Sequence, residues 1–376
     1  MDHSLLFDTP GWKAQSILRQ AILDNSLAGV QFALEHGADP LLPASLDADA
    51  RKASPFDLCS APLPAAALNL ALQKRCSLPI IELLGPLSRV DYPDLSGTTS
   101  LMLAASRSMP DALAALLPLS KMDAIDRSGC DALMRAVDFS IHNDQPIADT
   151  EKCVQLLLAA GAPADRRDCW GRTALLRSVL LDSANVLQLL IPHSDTSERD
   201  ALGRSALVMA AAYKNSEAAI ALLGVVDPLI RPPDGRDAAF WAARWPLGSF
   251  LSLLIKQCPA VLDRPVGEPT LLMIAAGAQC LENVQTLIPV SDPKAVGIDG
   301  ADALMIAIEQ APPSGLSECA LLLLPLSDLS LVDILGESAL EKARMRGFDE
   351  LAQAIEDRIQ DLAPSDPPLR RAGPHF

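Results

Sequence analysis

A short motif recurs along nearly the whole chain and constrains the fold more than any other feature of the sequence. Its frame is an Asp, two variable residues and a Gly, followed by a small or polar stretch and a Leu, as in Asp168-Cys-Trp-Gly171-Arg-Thr-Ala-Leu175. The small residue that closes each copy recurs mostly at intervals of 32 or 33 residues. Such a period indicates a stack of similar units rather than two or three separate globular domains. The closing residues are Ala21, Ala71, Ala104, Ala136, Ser178, Ala210, Ala242, Ala275, Ala307 and Ala343.

Each unit predicts a turn and two short helices. The Asp and the Gly bracket a tight turn, since Gly tolerates the positive φ that such turns require. A first helix opens with Leu and Ala on one face, and a second helix carries apolar residues at helical spacing, as in Val186, Leu189 and Leu190. Helix pairs this short bury enough surface only when they stack. The sequence therefore predicts an all-α solenoid of about ten helix-turn-helix repeats.

These units resemble the ankyrin repeat. The resemblance rests on the Asp-x-x-Gly turn, the Thr/Ser-Ala-Leu helix start and the helix ending Leu34-Glu-His-Gly37-Ala38-Asp39. It extends from Trp12 to Leu362 and implies a single-domain ankyrin-like α-solenoid. The chain departs from the family in two ways: several second helices end in Leu-Pro or Ile-Pro, which predicts early helix ends, and Met replaces the usual His after the helix-start Leu. The Met positions are 102, 134 and 305, and the Pro positions are 118, 192, 289 and 325.

Segments outside the period complete the predicted organisation. Residues 1–11 form an N-terminal lead, residues 12–362 form the repeat domain, and the proline-rich residues 363–376 are predicted to be a disordered tail. Three inserted loops interrupt the repeats near 41–64, 139–150 and 311–315. We expect the segment from Phe139 to Thr150 to project beside the binding face and to add specificity.

Charge and composition narrow the class of protein. The net charge is −16, so nucleic acid and anionic membranes would repel the chain. The eight cysteines are spread singly, without a CxxC pair, as in reduced cytosolic proteins. The first residues lack a basic segment followed by an apolar run, which disfavours a signal peptide, and no apolar stretch reaches the length of a membrane span. We expect a cytoplasmic monomer, with injection into another cell by a specialised secretion system left open.

No sequence motif indicates catalysis. The chain has no P-loop, GxSxG, HExxH or dinucleotide fingerprint. His142 and His193 are the only histidines that an active site would use, and both are interpreted as solvated loop residues. The sequence predicts no enzyme, no cofactor and no metal site. An enzyme with its site in the inserted loops is a remote alternative.

The ankyrin resemblance implies which residues contact a partner. In ankyrin stacks, residues that flank the turn Gly and residues just after the first helix line one concave face. Three Arg residues recur there at a spacing of 32, and Trp and Tyr, which are common in binding hot spots, accompany them. Such a group suits an acidic or aromatic segment of a partner. Two alternatives stay open: the arginines only pair with the turn aspartates, and the last Trp only fills a distorted helix end before Pro246. The predicted partner-binding residues are Trp170, Arg172, Arg204, Tyr213, Arg236, Arg244 and Trp245.

The acidic excess is concentrated near the C-terminus. Between Asp299 and Asp361 the sequence holds 13 acidic and 4 basic residues, a net charge of −9. This stretch is interpreted as a solvated end surface or as a dock for a basic partner. The sequence thus predicts a noncatalytic protein–protein interaction module of the adaptor or effector type. The alternative is a cytosolic inhibitor or immunity protein that masks a basic toxin or enzyme.

Overall fold

The structure is a computed structural model that describes residues 10–41, 66–138, 146–181, 183–265, 267–312 and 317–362. Those residues form twenty α-helices, and their only β-type pairings are two isolated bridges. The predicted all-α class is therefore confirmed. Residues 1–9 of the predicted lead, the tail and most of the three inserted loops lie outside the described residues.

The chain divides into two compact units, and the first unit spans Met1–Ala206. Its helices follow one another as five pairs. Within this unit, first helices pack on the first helices of neighbouring pairs, and second helices pack on second helices. The helices are α1 (Pro10–Leu23), α2 (Leu27–Glu35), α3 (Ala66–Gln73), α4 (Leu78–Leu84), α5 (Ser100–Ser106), α6 (Pro110–Leu116), α7 (Ala132–Ala136), α8 (Ile147–Ala159), α9 (Ala174–Ser178) and α10 (Ala184–Leu190).

The second unit spans Leu207–Phe376 and continues the same pattern of paired helices. Its first helix begins at the boundary residue Ala206. The same two-layer packing joins α13, α15, α17 and α19 on one side and α12, α14, α16 and α18 on the other. The helices are α11 (Ala206–Ala212), α12 (Ser216–Leu222), α13 (Ala238–Arg244), α14 (Phe250–Gln257), α15 (Leu271–Gly277), α16 (Leu281–Leu287), α17 (Ala303–Glu309), α18 (Glu318–Leu323), α19 (Ala339–Met345) and α20 (Asp349–Leu362).

The predicted Asp and Gly turns form as their chemistry requires. Asp168 Oδ1 accepts hydrogen bonds from the backbone N–H groups of Trp170 and Arg172, at 2.9 and 2.8 Å. Gly171 has a φ of 72°, and a Cβ there would come within 3.0 Å of the Ala201 nitrogen in the next turn. Both the conformation and the close approach therefore demand glycine. The same carboxylate pattern recurs at Asp94, Asp126, Asp200 and Asp333.

Short polar side chains fix the start of the first helices. The Thr173 hydroxyl accepts from the Leu176 N–H at 3.3 Å, and Asp131 and Asp302 cap α7 and α17 in the same way. These caps satisfy N–H groups that have no partner within the helix. Burial raises the pKa of both Asp131 and Asp302, although backbone hydrogen bonds oppose that shift.

The departures from the family pattern have clear structural consequences. Met102, Met134 and Met305 are buried, so they pack as apolar residues where the family uses a hydrogen-bonding His. Each Leu-Pro or Ile-Pro pair ends its helix, since proline lacks the N–H that an α-helix needs. The predicted early ends are confirmed. After α6, α10 and α16 the chain tightens into 3₁₀ turns at Leu117–Leu119, Ile191–His193 and Ile288–Val290, and α18 ends at Leu323.

The insertion expected between α7 and α8 is shorter in its loop part than the sequence suggested. Residues 139–145 lie outside the described part of the chain, but α8 already begins at Ile147. The segment Ile147–Thr150 is therefore helical, and Thr150 is buried. Its hydroxyl lies 2.8 Å from that of Ser108 in the preceding repeat. This end of the predicted insertion is part of the packed structure.

Candidate functional site

Trp170 stands at the tip of a turn in the first unit. Its side chain is 52% exposed. The backbone N–H of Trp170 is held by Asp168, and the Arg172 guanidinium lies over the indole ring with its Cζ 4.6 Å from the centroid. A large aromatic surface is thus presented to solvent on a fixed scaffold, as hot-spot residues often are.

Leu202 extends this apolar surface into the next turn. It occupies the same place before its own Gly as Trp170 does, and it is 62% exposed. The backbone links the two turns, because the Ala201 N–H donates to the Trp170 carbonyl at 2.9 Å. We call Trp170 and Leu202 the turn-tip strip. Sequence reasoning missed Leu202 because it considered only aromatic and basic residues.

Beside Trp170 lies a cleft of about 400 Å³. We call it the turn cleft. Its walls combine apolar side chains with guanidinium groups and one carboxylate. A site of this composition accepts an apolar side chain and fixes polar groups at its rim. The lining residues are Ser128, Cys130, Arg135, Val137, Asp138, Trp170, Arg172, Arg177 and Leu180.

Ion pairs hold the wall of the turn cleft across two neighbouring repeats. Arg177 from α9 is only 8% exposed in its side chain, and it donates to Asp138 Oδ2 at 2.8 Å and to Asp168 Oδ2 at 2.7 Å. Arg135 from α7 donates to Asp138 Oδ2 at 2.9 Å and contacts Asp126. We call the whole set the arginine ladder. Its members are Arg135, Arg172, Arg177, Asp126, Asp138 and Asp168.

The electrostatics of the ladder make it a structural element. Three arginines face three aspartates, so the charges balance within the set. Burial lowers the pKa of Arg135. The hydrogen bond and the charge of Asp126 raise it, and together with the other nearby charges they outweigh burial, so the pKa lies above its ordinary value. Removing one member would leave a buried charge without its partner, which is expensive. The ladder therefore keeps the turn cleft in one shape.

Two of the predicted arginines belong to such pairs. Arg172 Nε lies 3.1 Å from Asp168 Oδ2, and Arg204 Nη2 lies 2.7 Å from Asp200 Oδ2. This geometry matches the alternative in which these arginines pair with the turn aspartates. Arg236 differs, because Pro232 occupies the position that corresponds to Asp168, and the nearby Asp234 accepts from the Arg236 backbone N–H. The regular spacing of 32 residues therefore does not give the three arginines one environment.

The other predicted residues lie in the second unit, where cations stack on aromatic rings. The Lys214 Nζ lies 3.9 Å from the ring centroid of Trp245, and the Arg244 Cζ lies 5.3 Å from it. Trp245 stacks on Trp241 at 6.3 Å, and the Arg236 Cζ lies 5.9 Å from the Trp241 centroid. We call this set the cation–aromatic patch. It consists of Lys214, Arg236, Phe240, Trp241, Arg244 and Trp245.

Tyr213 precedes Lys214 in the chain and is exposed. Sequence reasoning selected it with three members of the patch but missed Lys214, Phe240 and Trp241. Trp241 and Trp245 are four residues apart at the end of one helix, which places them on the same face. That spacing was the available signal for Trp241.

Trp245 also takes part in an unusual helix end. It follows α13 in an extended conformation, which the following Pro246 favours. The buried Asn283 of α16 closes this end, because its Nδ2 donates to the carbonyls of Ala242, Ala243 and Trp245, each at 2.9 Å. Asn283 thus supplies donors to the carbonyl groups at the end of the helix, while the indole ring of Trp245 belongs to the patch.

The described residues contain no group of three or more His, Cys, Asp or Glu side chains that could hold a metal ion. His193 is exposed in its 3₁₀ turn, and His142 lies outside the described residues. Burial raises the pKa of the Cys130 thiol, which lines the turn cleft, to about 11. That thiol is therefore a poor nucleophile.

Comparison with known proteins identifies ankyrin repeats in part of the chain. Residues 145–231, which include the turn-tip strip, match the family model described as ankyrin repeats (3 copies). This part of the chain consists of ankyrin repeats. No curated protein matches it. Among solved structures it is similar to the ankyrin repeat domain of Bcl-3, titled a unique member of the IkappaB protein family, with 22% identity and a TM-score of 0.45. That alignment covers 62% of this chain and 92% of the Bcl-3 domain.

Ankyrin repeats are generally protein–protein interaction modules, so the two surfaces are candidate contact sites. In the part of the chain that the structure describes, no helix has the length and apolar character needed to cross a membrane.

Proposed function

We propose that this ankyrin repeat protein is a noncatalytic binding module that receives a partner protein on the turn-tip strip and turn cleft. The observation that supports this most is the position of Trp170, which is half exposed at the edge of a 400 Å³ cleft and held by Arg172 and Asp168. A large rigid side chain loses little conformational entropy on binding, so such an anchor favours affinity.

The partner is another protein, and the module acts as an adaptor or effector in the cytoplasm, as a monomer. An apolar side chain of the partner fits the turn cleft, and Leu202 widens the contact. Arg172 and Arg204 are paired with the turn aspartates, so we assign them the role of holding the turns that carry Trp170 and Leu202. The segment from Phe139 to Thr150 follows α7, which carries Arg135 of the cleft wall, and we propose that it adds specificity from there.

A second role has its own supporting observation. The stretch from Asp299 to Asp361 carries a net charge of −9. Such a field attracts a basic surface. An inhibitor or immunity protein that masks a basic toxin or enzyme would use this stretch rather than Trp170. Substituting acidic residues here would then abolish binding, whereas substituting Trp170 would not.

Site-specific photo-crosslinking in living cells tests the proposed function. A photoreactive phenylalanine analogue replaces Leu202 in the full chain, and the matched control carries it at Leu95, an exposed residue three turns earlier. We expect one discrete crosslinked protein from position 202, none from position 95, and loss of the product when Trp170→Ala is added. Equal products from both positions, or an unchanged product with Trp170→Ala, would contradict the proposal.

A further inference from the structure

The cation–aromatic patch in the second unit holds three positive charges against three aromatic rings. Lys214 and Arg244 lie over Trp245, and Arg236 lies near both Trp241 and Phe240. Stacking against a ring orients the charged group and supports its long stem. The ring does not neutralise the charge, and it leaves the N–H groups able to bind an anion.

None of these three cations forms an ion pair within the described residues. Nearby arginines behave differently: Arg264 and Arg231 share the Asp237 carboxylate, with Arg264 Nη1 at 2.6 Å. Arg172 and Arg204 are likewise paired in the first unit. The carboxylate beside Arg236, that of Asp234, accepts from the Arg236 backbone N–H and so serves the turn. The patch is therefore a local surplus of positive charge in a chain whose net charge is −16.

We infer that the cation–aromatic patch binds an acidic segment of the partner protein, in which carboxylates alternate with apolar side chains. This inference rests on the proposed function and gives one feature of the partner. Carboxylates take the free N–H groups of arginine in short, often bidentate hydrogen bonds. The apolar side chains between them pack on the exposed parts of the indole rings.

The chemistry favours a short peptide over other anions. Lys214 and Arg244 share the Trp245 ring, whereas Arg236 lies beside Trp241 and Phe240. One small anion therefore serves the whole set less well than a peptide, which supplies several carboxylates on one backbone. A nucleic acid carries dense negative charge and would be repelled by the acidic remainder of the chain. Stacking on the rings restricts the cations before a peptide binds, which reduces the entropy lost on binding.

Fluorescence anisotropy with the full chain tests this inference. The probe is a labelled peptide of twelve residues in which Glu alternates with Leu, and the matched probe carries Gln in place of each Glu. We expect the Glu peptide to bind at least tenfold more tightly than the Gln peptide. A triple variant, Lys214→Gln, Arg236→Gln and Arg244→Gln, should weaken its binding about tenfold, since three exposed charge pairs are lost.

A second triple variant controls for the change in net charge. Lys74→Gln, Lys121→Gln and Lys256→Gln remove three exposed charges outside the patch and should leave the affinity within about twofold. Equal affinity for the Glu and Gln peptides, or equal effects of the two triple variants, would overturn the inference. Tighter binding of a twelve-nucleotide thymidine strand than of the Glu peptide would assign the patch to nucleic acid instead. Self-association that the patch triple variant abolishes, without binding of the Glu peptide, would assign it to a second copy of the chain.

These outcomes separate the inference from the proposed function. If the Glu peptide fails to bind while crosslinking from Leu202 persists, the chain binds a partner but the patch does not bind acidic segments. If crosslinking fails while the peptide binds through the patch, the first unit is not the contact surface. Each result therefore tests one of the two claims.

Discussion

Arg177 Nη1 donates to Asp168 Oδ2 at 2.7 Å, nine residues before it in the chain. The spacing places a turn aspartate under the last residues of the first helix, and it recurs at Asp126 with Arg135 and at Asp333 with Lys342. In these repeats the carboxylate that organises the turn also binds the helix that follows. The ion pair therefore ties the turn to the end of its helix.

Replacing Arg177 should destabilise the first unit strongly. Arg177→Met leaves Asp138 and Asp168 with one arginine each, and breaking a buried pair costs about 3 kcal/mol of the free energy of unfolding. The matched control is Arg199→Met, which removes an exposed arginine and should cost less than about 0.5 kcal/mol. Urea unfolding measures both. Equal losses in the two variants would show that the ladder does not stabilise the fold.

Replacing Asn283 should destabilise the second unit through the end of α13. Asn283→Leu removes three hydrogen bonds and leaves buried carbonyl groups without donors, which costs about 1–3 kcal/mol. Asn185→Leu removes an exposed amide whose partner is Glu151, and it serves as the control with little expected change. Thermal unfolding compares the two. A stability of Asn283→Leu equal to that of the wild type would mean that water replaces the amide.

The Asp333–Lys342 pair gives the second unit a pH dependence in acid. The hydrogen bond from Lys342 holds the pKa of Asp333 below its ordinary value. Burial opposes the charge on Lys342, but Asp333 and Glu337 raise its pKa overall. A lowered carboxyl pKa stabilises the fold above the unfolded pKa, and the contribution is lost as pH falls through the folded pKa. Lys342→Met should therefore lower stability at neutral pH and weaken the loss of stability below about pH 4. Parallel pH profiles for both proteins would contradict this.

The cysteines should differ sharply in reactivity. Burial raises the pKa of Cys153 to about 12 and that of Cys130 to about 11, whereas Cys169 is exposed. In a Cys59→Ser background, iodoacetamide at neutral pH should label Cys169 rapidly, and Cys130 and Cys153 only after unfolding. Peptide mapping by mass spectrometry follows each site. Rapid labelling of Cys153 in the folded protein would mean that α8 opens locally.

Local chemistry explains why so much of the fold could be predicted. The turns depend on an Asp and a Gly three residues apart, and the first helices begin at caps such as Thr173. The structure of each unit can therefore be predicted from its own 33 residues. The early helix ends at Pro118 and Pro192 have an equally local cause.

The candidate sites were only partly predictable, because their contacts join distant residues. Asp138 and Arg177 are 39 residues apart, and Asn283 reaches the end of a helix about 40 residues earlier. The sequence of a single repeat does not predict these pairings. The regular spacing of Arg172, Arg204 and Arg236 even suggested one shared role, whereas their neighbours give them different environments.

The central claim is that Trp170 anchors a partner protein at the turn cleft. Isothermal titration of the partner that crosslinks from Leu202 tests it most directly, with Trp170→Ala against Tyr92→Ala, which removes an equally exposed aromatic residue of the same unit. Both variants must first show wild-type unfolding. We predict that Trp170→Ala weakens binding by about 2 kcal/mol or more, roughly thirtyfold, and that Tyr92→Ala changes it little. Wild-type affinity in folded Trp170→Ala would contradict the account.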